Sequence, residues 1–142
     1  MSTGQTHDRA AERLVERGVR PTQQRLRVLA ELMDERNDAT AQELHARLRA
    51  RGERIGLATV YRTLSVLVDE GIVDALSHHD GERCYRLCGA EHHHHLVCTR
   101  CHRVVELTDC GIGDWLERAA HEQGFLATEH SLEVSGLCAA CR

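Results

Sequence analysis

Residues 58–76 read ATVYRTLSVLVDEGIVDAL, and the hydrophobic period changes inside them. Up to Gly71 the apolar residues Val60, Leu64, Leu67 and Val68 recur at the three- and four-residue spacing of one helix face. Beyond Gly71 the run IVDAL reads as a strand, and glycine is the residue best suited to end a helix in a left-handed turn. The stretch is therefore expected to be a helix that stops at Gly71 and passes directly into a β-strand. Arg62 projects almost opposite the apolar stripe, Thr59, Thr63 and Val66 are expected on its outer side, and Tyr61 flanks it.

Upstream, three further segments punctuate themselves as helices. DRAAERLVERG (8–18) ends at a glycine, and Thr22 is placed to cap TQQRLRVLAELMDE (22–35), with Leu26, Leu29, Ala30 and Met33 as its apolar stripe. TAQELHARLRARG (40–52) opens with Thr40 and carries Glu43 three residues on, a capping-box pattern. Downstream, IVDAL and RCYRL (83–87) are joined through SHHDGE (77–82), whose Asp80-Gly81 signals a hairpin. Helices followed by such a hairpin suggest a winged helix-turn-helix whose last helix enters the major groove. A helical core with an ornamental surface hairpin is the alternative. The remainder, HHHHLVC, HRVVEL, IGDWLERAAHEQG and LATEHSLEVSGLC, reads as a small α/β unit. The fold expected is α+β, with a winged domain over residues 1–83, a hinge over 84–91 and a second domain over 92–142.

A chain of 142 residues with 42% hydrophobic content can bury a core, although two small domains each lie near the lower size limit. With aromatics at 3%, aliphatic packing must supply most of it. No apolar run is long enough to cross a bilayer and MSTGQTHDRAAER lacks the apolar region of a secretory signal, so the expected location is the cytosol. In that reducing compartment seven cysteines point to metal or redox work rather than to a disulfide framework. The net charge of −4 hides an asymmetry: residues 13–65 hold eleven arginines against seven acids, while residues 78–142 hold six against ten. A basic first half fits a polyanion, although a solvated helical surface has the same composition.

Cys98-x-x-Cys101 and Cys138-x-x-Cys141 are the strongest chemical signal. Two thiolates on one tight knuckle reach a single ion, and two knuckles complete a tetrahedral site with no open position, which suits a structural zinc. CTRCH also matches a haem attachment motif, but haem attachment needs export and leaves the second pair unexplained; a CxxC can also be a redox centre, but no βαβ pattern surrounds this one. Before the first knuckle stand His92, His93, His94 and His95. On a strand their side chains alternate, so His92 and His94 face one way and His93 and His95 the other, giving two imidazole sites back to back. Cys88 and Asp74 are the nearest further donors for His93 and His95, and such a mixed set favours Zn²⁺ while admitting Co²⁺, Ni²⁺ or Fe²⁺. His130 offers a third nitrogen to His92 and His94. Cys84 is expected to be a buried hairpin residue, His102 and His121 surface histidines, and His78 and His79 turn residues, while Cys110 has no assigned place.

GVRPTQQR (18–25), GLATVYRTL (56–64), the histidine run and both CxxC pairs, in this order, resemble the ferric uptake regulator family, and within it the zinc uptake regulators of actinobacteria. The likeness runs from about Arg13 to Cys141. It implies a homodimeric winged-helix repressor of zinc uptake genes that binds a palindromic AT-rich duplex when loaded with zinc, its second domain serving for dimerisation. By the same resemblance Cys98, Cys101, Cys138 and Cys141 hold the structural zinc, Asp74, Cys88, His93 and His95 form the sensing site, and His92, His94 and His130 belong to a third site. The family's fourth ligand there is a glutamate, and this chain has Gly113 instead, so water, Asp114, Cys110 or an empty site remain open. Tyr61 and Arg62 match recognition-helix contacts and Arg20 a minor-groove contact, with Thr59 beside them. An iron, nickel or peroxide sensor, a zinc buffer and a zinc hydrolase are the competing functions, the last without a nucleophile or general base to support it.

Overall fold

The computed structural model describes residues 3–34, 38–77, 81–89 and 92–142. Two compact units divide the chain, Met1–Ala90 and Glu91–Arg142. The first begins with α1 (Thr3–Glu16) and α2 (Gln23–Met33), then β1 (Ala39–Thr40), α3 (Ala41–Ala50), α4 (Leu57–Asp69), β2 (Val73–Ser77) and β3 (Arg83–Leu87). Its caps are those the sequence announces. Thr22 Oγ1 accepts from the Arg25 amide at 3.3 Å. Thr40 Oγ1 accepts from the Glu43 amide at 3.1 Å while Glu43 Oε2 accepts from the Thr40 amide at 2.8 Å, a complete capping box.

Gly71 does what residues 58–76 require of it. It sits at φ 66°, the Gly71 amide donates to Val68 O and the Ile72 amide donates to Leu67 O at 2.9 Å, which closes α4 and releases the chain into β2. The buried face of α4 is wider than the apolar stripe implied: Thr63 joins Val60, Leu64 and Leu67 inside, and Val66 packs half-buried against the core. The expectation that Thr63 and Val66 lie on the outer side is thus corrected. The reason is that α4 packs on α2, α3 and β2 together, so three neighbours cover more than one stripe.

β1, β3 and β2 form an antiparallel sheet in that order, with Ala39 opposite Tyr85 and Asp74 opposite Arg86. Residues 84–87, read from the sequence both as part of the strand RCYRL and as the start of the hinge, lie in β3, each paired to β2. Residues 78–80, with the expected turn histidines and Asp80, lie outside the described residues; Gly81 has the turn's left-handed φ of 80°. Cys84 is buried as expected, and its thiol is pushed up to about 12 by burial first, then by Asp38, Glu82 and Glu43.

The second unit holds β4 (His94–Cys98), β5 (Val104–Leu107), α5 (Gly113–Glu122) and β6 (Glu133–Gly136). Its sheet runs β5-β4-β6, with β4 antiparallel to β5 and parallel to β6. A parallel pair needs a crossover, which β5, α5 and the following segment supply.

Candidate metal centres and nucleic-acid face

β4 decides where the ligands go. Among the described residues of the second unit, only His94, His95, Val97 and Cys98 are buried, so three of the four side chains at its heart carry donor atoms. The pleat sends His92 and His94 to one face, their rings 4.6 Å apart, and His93 and His95 to the other, 4.9 Å apart. This is the back-to-back arrangement expected of the histidine run.

At the end of β4 the Cys98 amide donates to Arg103 O at 2.9 Å and the His102 amide to Cys98 O at 3.0 Å, closing the first knuckle. His102 adopts φ 60° there and is exposed, as is His121. Parallel pairing sets Cys98 opposite Gly136, so the second knuckle, closed by the Cys141 amide on Cys138 O at 2.9 Å, leaves the sheet at the same end. Sulfurs of Cys98, Cys101, Cys138 and Cys141 lie within 4.8 Å of one another. Cys101 and Cys138 are 3.7 Å apart, and a tetrahedron of Zn–S bonds of about 2.3 Å has an edge of about 3.8 Å. The four residues therefore fit a closed zinc site. Amides of Cys101, Cys138 and Arg100 aim at Cys98 and hold its thiol down to about 5, whereas hydrogen bonds with Cys138 and Cys101 push Cys141 up to about 12. One thiolate is thus preformed, while Cys141 keeps its proton until a cation replaces it.

On one face of β4, His93 and His95 meet Glu106, all three donor atoms lying within 4.8 Å of one another. Glu106 was not picked out from the sequence. Its signal is the register, which places it directly opposite His95. Asp74 and Cys88 belong to the other unit. Asp74 stands half-buried on β2, and Cys88 follows β3, its amide donating to Ile72 O at 3.0 Å, its carbonyl accepting from Arg13 Nη1 at 3.3 Å and its thiol turned to Gly89 O at 3.2 Å.

On the other face, His92, His94 and His130 converge together with Cys110. His92 Nε2 is 3.3 Å from His94 Nε2 and 3.1 Å from His130 Nε2, and Cys110 Sγ is 3.1 Å and 3.0 Å from the latter two. Desolvation, then the imidazoles of His92 and His130, lowers the His94 pKa and keeps this ring neutral, the form that ligates metal. Asp114, exposed in the first turn of α5, is not among the converging donors.

On α4 of the first unit, Tyr61 and Arg62 are exposed and Arg62 Nη2 donates to Thr59 Oγ1 at 3.2 Å. Arg20 is also exposed, and its carbonyl accepts from Arg25 Nη1 at 2.9 Å.

Comparison with known proteins agrees with this anatomy. A model of the ferric uptake regulator family matches residues 16–135. The zinc uptake regulation protein of Mycobacterium tuberculosis is 45% identical over 127 residues, covering 88% of this chain and 96% of the relative. The ferric uptake regulation protein of Escherichia coli is 38% identical over 123 residues, 86% of this chain and 83% of the relative. A solved zinc uptake regulator complexed with zinc and DNA superposes with a TM-score of 0.78 at 29% identity, covering 99% of this chain and 95% of that one. A winged first unit, a cysteine-clasped second unit and these matches over most of its length establish that the chain belongs to the ferric uptake regulator family.

Proposed function

We propose that this protein is a homodimeric, zinc-responsive DNA-binding repressor of zinc uptake genes. Membership of a family of regulators disposes of the hydrolase alternative. The observation that carries the zinc-responsive part is the division of the histidine run between two donor sets on one strand, with thiols close in sequence on either side. Cys98, Cys101, Cys138 and Cys141 hold a structural ion. His93 and His95 of the second unit share a regulatory zinc with Asp74 and Cys88 of the first, and Glu106 stands ready to join them.

An ion held from both units restricts the angle between them. When the favoured angle sets the two α4 helices of a dimer about 34 Å apart, one turn of DNA, zinc and duplex select the same state and strengthen each other's binding equally. Shifting that equilibrium from 1:99 to 99:1 takes about 5.5 kcal/mol of differential affinity, within reach of a multidentate zinc site. Exposed arginines of the winged domain meet phosphates and make binding salt-dependent, while Tyr61 and Arg62, with Thr59 beside them, read base edges and Arg20 reaches the minor groove. The preferred duplex is a palindrome rich in A·T pairs.

One observation favours a second metal. Glu106 with His93 and His95 makes the two-imidazole, one-carboxylate set that ferrous iron accepts. The competing readings separate in one experiment: duplexes selected with zinc-loaded protein are titrated by fluorescence anisotropy after the exchangeable metal has been stripped, adding Zn²⁺ or Fe²⁺ to wild type and Cys88→Ser. Zinc should raise duplex affinity at least about tenfold, equivalent to about 1.4 kcal/mol, and Cys88→Ser should lose most of that gain. A gain with Fe²⁺ alone, or a Cys88→Ser protein that answers zinc fully, overturns the zinc assignment.

A further inference from the structure

The cluster of His92, His94 and His130 contains a further donor that the resemblance does not assign. We infer that Cys110 is the fourth ligand of a zinc site with His92, His94 and His130, its thiolate occupying the place left by Gly113. Three observations carry this. First, the four donors crowd one volume: Zn–N bonds of about 2.0–2.1 Å and a Zn–S bond of about 2.3 Å make a tetrahedron with edges of about 3.3–3.6 Å, so contacts of this kind need to open by no more than about 0.5 Å to seat an ion. The four measured contacts run from 3.0 to 3.3 Å, the two to sulfur being the tightest against that frame.

Second, hydrogen bonding alone does not account for the convergence. A ring nitrogen that carries a proton cannot accept, and one without it cannot donate. The four contacts close a circuit from His92 to His94 to Cys110 to His130 and back. A hydrogen bond along every side would need all four atoms to donate and accept at once, which ring nitrogens cannot do, so at least one of these close contacts is left without a proton of its own. A divalent cation at the centre satisfies all four donors at once.

Third, Gly113 makes the room. A Cβ built at position 113 would stand 3.8 Å from Cys110 Sγ, so a side chain from the first residue of α5 and the sulfur of Cys110 address the same volume. With no side chain at 113, a thiol three residues earlier enters from the loop after β5. Exchanging a carboxylate oxygen for sulfur turns the site toward Zn²⁺ or Co²⁺ and away from Mn²⁺ and Fe²⁺, and four protein donors leave no position open for chemistry. The ion fastens the entrance of α5 and the approach to β6 onto β4.

The test is made in full-length Cys88→Ser protein with zinc kept in the four-cysteine site, so that any new sulfur–metal band belongs to Cys110 and the outcome is independent of the hinge reading. Titration with Co²⁺ should give tetrahedral visible bands with a near-ultraviolet thiolate-to-cobalt transition. That transition should vanish in Cys88→Ser/Cys110→Ser, with zinc affinity falling by more than about tenfold, the lower range even for loss of an outer-shell partner. Adding Gly113→Glu to the latter variant should restore affinity without restoring the sulfur band. A cobalt spectrum lacking the sulfur transition overturns the assignment. So does wild-type Cys110 that alkylates equally fast with and without zinc by peptide mapping, a measurement that survives misfolding of any position-110 variant.

Discussion

The first unit closes around aliphatic side chains: Leu14, Leu29, Leu44, Val60, Leu64 and Leu67 are all fully buried in one cluster. At about 1.5–3 kcal/mol for each fully buried side chain of this size, such a core holds itself together. Among its described residues the second unit has nothing comparable. Its α5 buries no residue, and Trp115, Phe125 and Leu126 are 59%, 72% and 87% exposed. What lies at its centre is mainly donor side chains, His94, His95 and Cys98. Small domains that lack a core are stapled by metal or by a partner, and the proposed dimer with its clasped cysteines supplies both.

The strongest way to break this comparison is to remove the clasp. Structural zinc in small domains contributes on the order of 10 kcal/mol, so Cys98→Ser should abolish amide protection across β4, β5 and β6 in hydrogen exchange while α2 to α4 stay protected. Simultaneous melting of both units would show that they depend on one another. The converse is Leu64→Ala, which should lower the stability of the first unit by about 2–5 kcal/mol in urea unfolding. Zinc stoichiometry in the folded protein should not change. Next in size, Arg62→Ala should weaken specific duplex binding by about 1–3 kcal/mol with metal content intact, read by anisotropy and metal analysis on one sample.

Smaller effects sharpen the contrast. Thr40→Ala removes one half of the capping box and should cost about 1 kcal/mol in the first unit alone. Cys84 offers a pH signature of that core. Its folded pKa of about 12 lies above the ordinary 9.0, so below pH 9 the thiol is protonated in both states and its contribution is fully present. As pH rises from 9 toward 12 the unfolded chain ionises first and stability falls. Alkylation of Cys84 at pH 8 should correspondingly be the slowest among cysteines of the metal-free protein, by mass-spectrometric time course.

How far the sequence speaks differs between the units for a physical reason. Local patterns report local structure, so the caps at Thr22 and Thr40, the stop at Gly71 and the alternation from His92 to His95 were legible. Thr63 was not, because its burial depends on three neighbours packing around α4. Glu106 becomes visible only once β5 is set in register against β4. Cys110 lies sixteen residues from His94 and twenty from His130, and loop paths rather than spacing bring them together. RCYRL was legible as a strand from its residue types, whereas nothing in its local pattern marks where the hinge begins after it.

A run of four identical residues is a poor ruler. If β4 slid by two positions against β5 and β6, alternation would be preserved and imidazoles would still stand at half of the ligand positions on each face. Cys98 tolerates no such ambiguity, since the same slide would carry its sulfur about 6.8 Å along the strand from its place beside the Cys138–Cys141 knuckle. The knuckle at the end of β4 thus serves as an index mark, and closure of its thiols on the proposed ion would commit to one alignment a histidine tract that alone permits two.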